Sequence, residues 1–266
     1  MCKWEFINAS VIGKSHIESG TECQDFCRVD IIKDINGNEY LIIAVSDGAG
    51  SAALSSIGAE QTCKYFFREC KELICTPDDL IKTFTENDAK TLVSRLKIEL
   101  ENLADQLNVS PKDLSCTLVA AIISDDISVF IQIGDGGIVV SHPEGYKLVF
   151  WPEQGEYANI TWFVTSEDVL DHVMFKKLDY PIFHISVFTD GIQNIALDYS
   201  NKTAYSLFFK PIFSQTVKKL LSMPRKERLL YLEKFLNSKR INERTDDDKS
   251  LVLAVRLKGK DEDSFQ

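Results

Sequence analysis

Five short apolar runs in this chain each end or begin at an aspartate, and that recurrence constrains the fold more than any other feature. Residues 41–45 (Leu-Ile-Ile-Ala-Val) lead into Ser46-Asp47-Gly48, residues 129–133 (Val-Phe-Ile-Gln-Ile) into Gly134-Asp135-Gly136, and residues 185–188 (Ile-Ser-Val-Phe) into Thr189-Asp190-Gly191. Asp247-Asp248-Lys249-Ser250 opens the run 251–255, and Gln24-Asp25 meets the strand-like stretch 26–32. β-Branched and aromatic runs bounded by such turns read as strands, so the carboxylates fall at strand ends, where a sheet can bring them to one point. Oxygen ligands in this number, with no His-rich or Cys-rich cluster beside them, suit hard octahedral cations such as Mg2+ or Mn2+ rather than zinc.

Between these runs, strand-like and helix-like patterns come in blocks. After Asp47 the spacing becomes helical, with Ala59, Cys63, Phe66, Phe67 and Cys70 near one face. A second helical pattern covers residues 77–107, carries Leu80, Phe84, Leu92, Leu96, Leu100 and Leu103, and opens on an acidic turn at Asp78 and Asp79. Strands are expected at 115–123, 127–133, 138–141, 146–150, 160–165 and 182–188, punctuated by turns such as His142-Pro143-Glu144-Gly145. Helices follow at 203–221 and, past Pro224, at 225–235, before a last strand at 250–257. Runs of strands alternating with pairs of helices predict an α+β fold of antiparallel sheets covered by helix layers. Because the aspartates span nearly the whole chain, one domain is expected over residues 1–258, with a charged tail at 259–266 that frays.

Composition narrows the function. With 44% apolar residues, a 266-residue chain can bury a sizeable core. A formal net charge of −10 argues against a nucleic-acid partner, which calls for a basic stripe. Residues 1–5 lack the apolar stretch of a secretory signal, and no run approaches membrane-spanning length, so a cytoplasmic protein with no membrane partner is expected; a monomer is expected as well. Seven cysteines without a Cys-x-x-Cys pair speak against a disulfide framework or a structural zinc site.

In this order and setting, the motifs resemble those of the metal-dependent protein phosphatases, the type 2C serine/threonine family. The resemblance runs over about residues 10–257 and rests on Cys23-Gln24-Asp25-Phe26, Val45-Ser46-Asp47-Gly48-Ala49-Gly50-Ser51, Ser56-Ile57-Gly58-Ala59-Glu60, Ser115-Cys116-Thr117-Leu118-Val119, Gln132-Ile133-Gly134-Asp135-Gly136, Phe188-Thr189-Asp190-Gly191 and Asp247-Asp248-Lys249-Ser250-Leu251. Ser15-His16 with Gly20, and Gly155-Glu156-Tyr157-Ala158-Asn159, look like a bacterial branch. The resemblance implies a four-layer α/β/β/α sandwich, two central antiparallel sheets flanked by helix pairs, with two Mn2+ or Mg2+ ions at one end of the sheets and a possible third. By position, Asp47 would bridge both ions, the Gly48 carbonyl would bind the second, and Asp190 and Asp247 would complete the first ion's shell. Asp25 would act mostly through metal-bound water, and Asp135 would support the additional ion. The implied reaction is hydrolysis of phosphoserine and phosphothreonine in proteins by a hydroxide held between the two ions, which needs no Ser or Cys nucleophile.

Three departures stand out. Many relatives carry an arginine about five residues before the position of Asp25, to grip the substrate phosphate; here that position is Gly20, and His16 is the nearby candidate phosphate contact, while Arg28 is expected to face solvent. Asn194 stands where an acidic residue usually follows the Asp190 motif, and Glu156, Tyr157 and Asn159 replace the usual flap sequence. Two other readings compete. One is a pseudophosphatase that binds phosphoprotein without hydrolysis. The other is a dinucleotide-binding enzyme, since Gly48-Ala49-Gly50-Ser51-Ala52-Ala53 formally fits G-x-G-x-x-A, although Glu69 and Glu72 then fall in a helical pattern rather than at the end of a second strand.

Overall fold

A computed structural model of the chain describes residues 3–76, 80–152, 161–217 and 222–257. In chain order the strands are β1 (Lys3–Val11), β2 (Phe26–Lys33), β3 (Glu39–Ser46), β4 (Leu118–Ile123), β5 (Ser128–Ile133), β6 (Gly137–His142), β7 (Gly145–Leu148), β8 (Met174–Leu178), β9 (His184–Phe188), the short pair β10 (Leu197–Asp198) and β11 (Thr203–Ala204), and β12 (Lys249–Leu257). They form two five-stranded sheets, β1-β12-β9-β6-β7 and β2-β3-β4-β5-β8, in which every pairing is antiparallel. The helices are α1 (Lys14–Ser19), α2 (Ser55–Ile74), α3 (Leu80–Thr83), α4 (Glu86–Leu107), α5 (Gln193–Ala196), α6 (Ser206–Pro211), α7 (Arg225–Leu236) and α8 (Lys239–Asn242).

Three apolar layers explain why the strand sequences are nearly unbroken runs of hydrophobic residues. On β3, Leu41, Ile43 and Val45 fill the space between the two sheets, while Tyr40, Ile42 and Ala44 pack with Phe66 of α2 and Leu96 of α4. On β12, Val252 and Ala254 point into the same central layer, and Leu251, Leu253 and Val255 meet Phe209 of α6 and Leu232 of α7. A strand buried on both faces needs apolar residues at every position, so the run is continuous where a half-exposed strand would alternate. The result is the α/β/β/α sandwich, and among the described residues its all-antiparallel sheets leave no parallel β-α-β unit for the dinucleotide reading.

Register then gathers the aspartates. Phe26 pairs with Ser46, which sets Asp25 beside Asp47 at one end of the second sheet. Phe188 pairs with both Leu251 and Gly137, bringing Asp190, the start of β12 and the Asp135 turn to the corresponding end of the first.

Several elements depart from the expected boundaries. The helical pattern over residues 77–107 splits into α3 and α4, because the Asp88 carboxylate accepts from the Thr85 N–H (2.8 Å) and hydroxyl (2.6 Å) and starts a new helix; Asp78 and Asp79 lie outside the described residues. Residues 161–165 make no strand: the Val164 N–H donates to the Cys116 carbonyl (2.8 Å) and the Phe163 N–H to the Ser166 hydroxyl (3.1 Å). The edge beside β5 is taken by β8, a segment with two lysines that the apolar pattern overlooks. The stretch 203–221 begins as β11, turns helical at α6 and widens into a π-turn over Ile212–Thr216, directly after Pro211, which has no N–H for the helical ladder. The charged tail falls outside the described residues.

The Thr85–Asp88 cap is open to a direct check. Asp88→Ala should lower the unfolding free energy by about 1 kcal/mol, with Thr85→Ala costing a similar amount and the double variant less than the sum, in urea melts of the three proteins.

Candidate metal centre

Asp47, Asp135 and Asp190 each offer a carboxylate oxygen, and the three oxygens lie within 4.8 Å of one another. Backbone pairing places each of them: Asp47 follows β3, Asp135 sits in the turn between β5 and β6, and Asp190 follows β9. That turn has positive φ at both Gly134 (+80°) and Gly136 (+110°), a conformation that side chains with a Cβ rarely adopt. Asp25 and Asp247 stand outside the trio and act on it through charge, since both raise the pKa of Asp47 and of Asp190. Asp247 is partly committed to its own chain, where its Oδ1 accepts from the Asp248 N–H at 2.8 Å. The trio thus includes Asp135, which sequence resemblance gave to an additional ion, and leaves out Asp247, which it gave to the first.

Burial and like charge act together here. Burial, more than any other cause, pushes Asp25 up to about 7 and Asp190 up to about 8, with the charge of Asp248 adding to the first and those of Asp135, Asp247 and Asp25 to the second. Asp47 is raised well above the carboxylate range by burial and then by its four acidic neighbours, and burial also raises Asp135 and Asp247. Asp25 Oδ1 and Asp190 Oδ1 are buried with no hydrogen-bond partner. Among the described residues, no lysine or arginine pairs with any of these five carboxylates. Crowded anionic oxygens, some of them orphaned, match what a hard divalent cation requires, so the residues fit such an ion.

Outer hydrogen bonds fix the ligands, and these supports carry no distinctive sequence signal. The Thr117 hydroxyl accepts from the Asp47 N–H at 2.9 Å, while the Thr117 N–H donates to the Asp47 carbonyl at 2.8 Å. Thr189 donates to Asp25 Oδ2 at 2.6 Å and accepts from the Ser250 N–H, and Thr161 donates to Asp135 Oδ2 at 3.0 Å. Asp248 is fully buried and accepts from the Gly13 N–H (2.6 Å), the Gln24 N–H (2.6 Å) and the His16 ring (Nδ1, 2.9 Å). It thereby bolts the segment carrying Asp25 to the start of β12. Lys249, also fully buried, donates to the Asp247 carbonyl (3.1 Å) and to Asn242 Oδ1 (3.2 Å), and burial lowers its pKa.

The remaining sequence candidates fall as follows. His16 is on α1, with Nδ1 held by Asp248 and the ring partly exposed. Gly20 ends α1 in a left-handed conformation (φ +73°), its N–H donating to the Ile17 carbonyl while the Thr21 N–H donates to the His16 carbonyl, so an arginine placed there would be strained. Arg28 is exposed, as expected, and lies 4.4 Å over the Phe67 ring. Asn194 is exposed on α5, one residue beyond a buried Gln193. The backbone carbonyl of Gly48 belongs to the same loop as Asp47, whereas Glu156, Tyr157 and Asn159 lie outside the described residues.

The raised carboxylates set the sign of a pH dependence. Above about pH 4 the unfolded chain has released protons that folded Asp25 and Asp190 still hold, so the metal-free protein should lose stability as pH rises toward 7 and 8. In denaturant melts without divalent cations, Asp25→Asn and Asp190→Asn should each be more stable than the parent at pH 8, by on the order of 2 kcal/mol, and should flatten the slope.

Comparison with known proteins identifies the family. A family model described as protein phosphatase 2C matches residues 12–236, a span that stops short of Asp247. Serine/threonine-protein phosphatase 3 of Escherichia coli (strain K12) is 35% identical over 260 residues, covering 95% of this chain and 98% of that protein. The fold also matches solved structures. A serine/threonine phosphatase of S. agalactiae superimposes with a TM-score of 0.63 at 15% identity, over 96% of this chain and all of that one. The catalytic domain of the phosphatase PstP, solved with two manganese ions, gives 0.58 at 12% identity, over 97% and 100%. With a family match over most of its length and a relative this similar end to end, the chain belongs to the protein phosphatase 2C family.

Proposed function

We propose that the protein is a metal-dependent serine/threonine phosphoprotein phosphatase, working with two Mn2+ or Mg2+ ions held by Asp25, Asp47, Gly48, Asp190 and Asp247, with Asp135 supporting an additional ion. The observation that carries this reading is the partly buried trio of Asp47, Asp135 and Asp190, with its oxygens within 4.8 Å and an orphaned acceptor on Asp190. When bound, paired divalent ions lower the pKa of a water between them and neutralise charge on a phosphoryl group. The protein's own part is to hold the ligands still: Thr117, Thr189 and Thr161 fix three of the aspartates, and rigid strand ends on two packed sheets fix the rest. Intact acidic residues at all five positions favour catalysis over a pseudophosphatase role.

The substrate side is less heavily built. With Gly20 in place of the arginine, His16 is the group we assign to the substrate phosphate, reaching it through Nε2 because Asp248 occupies Nδ1. A third ion at Asp135 and a monomeric, cytoplasmic enzyme are parts of the same proposal. The six described cysteines are all unpaired, in keeping with a reducing compartment, and among the described residues no helix is long and apolar enough to cross a membrane.

Hydrolysis of an aryl phosphate should vanish in chelator and return with Mn2+ or Mg2+, while Zn2+ and Ca2+ should not support it; turnover in excess chelator, with metal content shown to be nil, would remove the two-ion mechanism. Asp47→Ala and Asp190→Ala should each lower kcat by roughly 1,000-fold or more, and Asp135→Ala by less. His16→Ala should raise KM for a phosphopeptide about tenfold with a smaller change in kcat. An unchanged KM would confine His16 to its contact with Asp248.

A further inference from the structure

The turn that carries Asp135 is held at both flanking carbonyls by glutamine side chains. Gln132 Nε2 donates to the Gly134 carbonyl at 3.0 Å, within the same strand and turn. Gln193 Nε2 donates to the Gly136 carbonyl at 2.9 Å and comes from a different part of the chain, three residues after Asp190. Gln193 is 9% exposed, so its amide is spent inside the protein rather than on solvent. Its other end is also held, because the Tyr199 hydroxyl donates to Gln193 Oε1 at 3.2 Å.

Tyr199 is itself partly exposed, but its turn and one face of its ring are held. It lies in the connection between β10 and β11, where the Asp198 carboxylate accepts from the Ser200 N–H (3.1 Å), the Asn201 N–H (3.2 Å) and the Asn201 side chain (2.8 Å). Its ring meets Trp151 edge to face at 5.4 Å. The phenol lies within the field of the acidic centre: burial, then the charges of Asp190 and Asp135, raise its pKa.

We propose that Gln193, oriented by Tyr199, is a positioning residue that ties the Asp190 segment to the Gly134-Asp135-Gly136 turn and so sets the separation of the Asp135 and Asp190 carboxylates for a shared divalent cation. The proposal rests on the metal-centre reading given above. Two carboxylates that repel each other relax apart unless their backbones are joined, and a side-chain amide spanning the two loops opposes that relaxation while adding no charge. The neighbouring Asn194, exposed on α5, has no such link to the turn among the hydrogen bonds of the described residues.

The test is calorimetric titration of Mn2+ into metal-free protein, for the parent, Gln193→Met, Tyr199→Phe and the double variant, with a melt of each metal-free protein alongside. Gln193→Met keeps the side-chain length without the amide. It should weaken Mn2+ binding about tenfold, the range seen when a partner behind a metal ligand is lost. Tyr199→Phe should weaken it less, and should add nothing in the Gln193→Met background, because the phenol acts through the amide. Equal Mn2+ affinity in parent and Gln193→Met, additive effects of the two substitutions, or a loss of affinity that merely follows a lowered melting temperature would each overturn the brace and leave the metal centre standing. A parent that takes up no Mn2+ would overturn the metal centre itself, and the brace with it.

Discussion

Mutual repulsion among buried carboxylates is the constraint on which the rest of this structure depends. Asp25, Asp47, Asp135, Asp190 and Asp247 each have a pKa raised first by burial, and all but Asp25 and Asp247 lie in one trio of oxygens within 4.8 Å. No local segment would hold such an arrangement, because each charge is stabilised by moving toward water and away from the others. What holds it is the packing of two sheets and their helices, whose apolar layers fix the strand ends to which the aspartates are attached. The cost is local and the restraint is global, a distribution typical of sites that need a bound cation to be at ease.

The chain's topology makes that restraint depend on both of its ends. β12 lies between β1 and β9, and β1 pairs with it along nine residues from Lys3–Leu257 to Val11–Lys249. Asp247 and Asp248 open β12, and the Asp248 carboxylate gathers Gly13, His16 and Gln24 from the N-terminal segment that leads to Asp25. Residues more than 200 positions apart therefore meet at the site, so the site is complete only once the longest-range contacts of the fold have formed. Asp248 accepts from three donors, which explains how an additional buried carboxylate is tolerated beside a crowded acidic cluster.

Much of this was legible in the sequence because the features that specify it are periodic or ordered. Both-face burial writes continuous apolar runs into β3, β4 and β12, and strand-end aspartates in fixed order survive as motifs whatever lies between them. The illegible parts are those decided by a single contact at a distance. β8, with sequence Met-Phe-Lys-Lys-Leu, becomes a strand because β5 offers an open edge. Residues 161–165 look like a strand and instead turn back on Cys116 and Ser166. Thr85 and Asp88 interrupt a helical pattern whose hydrophobic spacing continues unbroken across them. Thr117, Thr161, Thr189 and Gln193 support the centre through hydrogen bonds that no spacing rule encodes, since each partner comes from another segment.

The absence of the arginine shifts weight between the two halves of the site. In the charge balance around the five aspartates, the nearby basic groups are already committed inward: Lys249 to the Asp247 carbonyl and Asn242, and His16 Nδ1 to Asp248. A phosphate dianion approaching the bare carboxylates meets like charge, and the chain's net charge of −10 adds to that repulsion at low ionic strength. On the proposed reading, substrate attraction therefore comes chiefly from the bound cations rather than from a dedicated side chain, and ligand-to-ligand spacing governs phosphate binding as well as chemistry. The hydrogen bonds that fix that spacing are thus as much a part of substrate recognition as any residue that touches the phosphate.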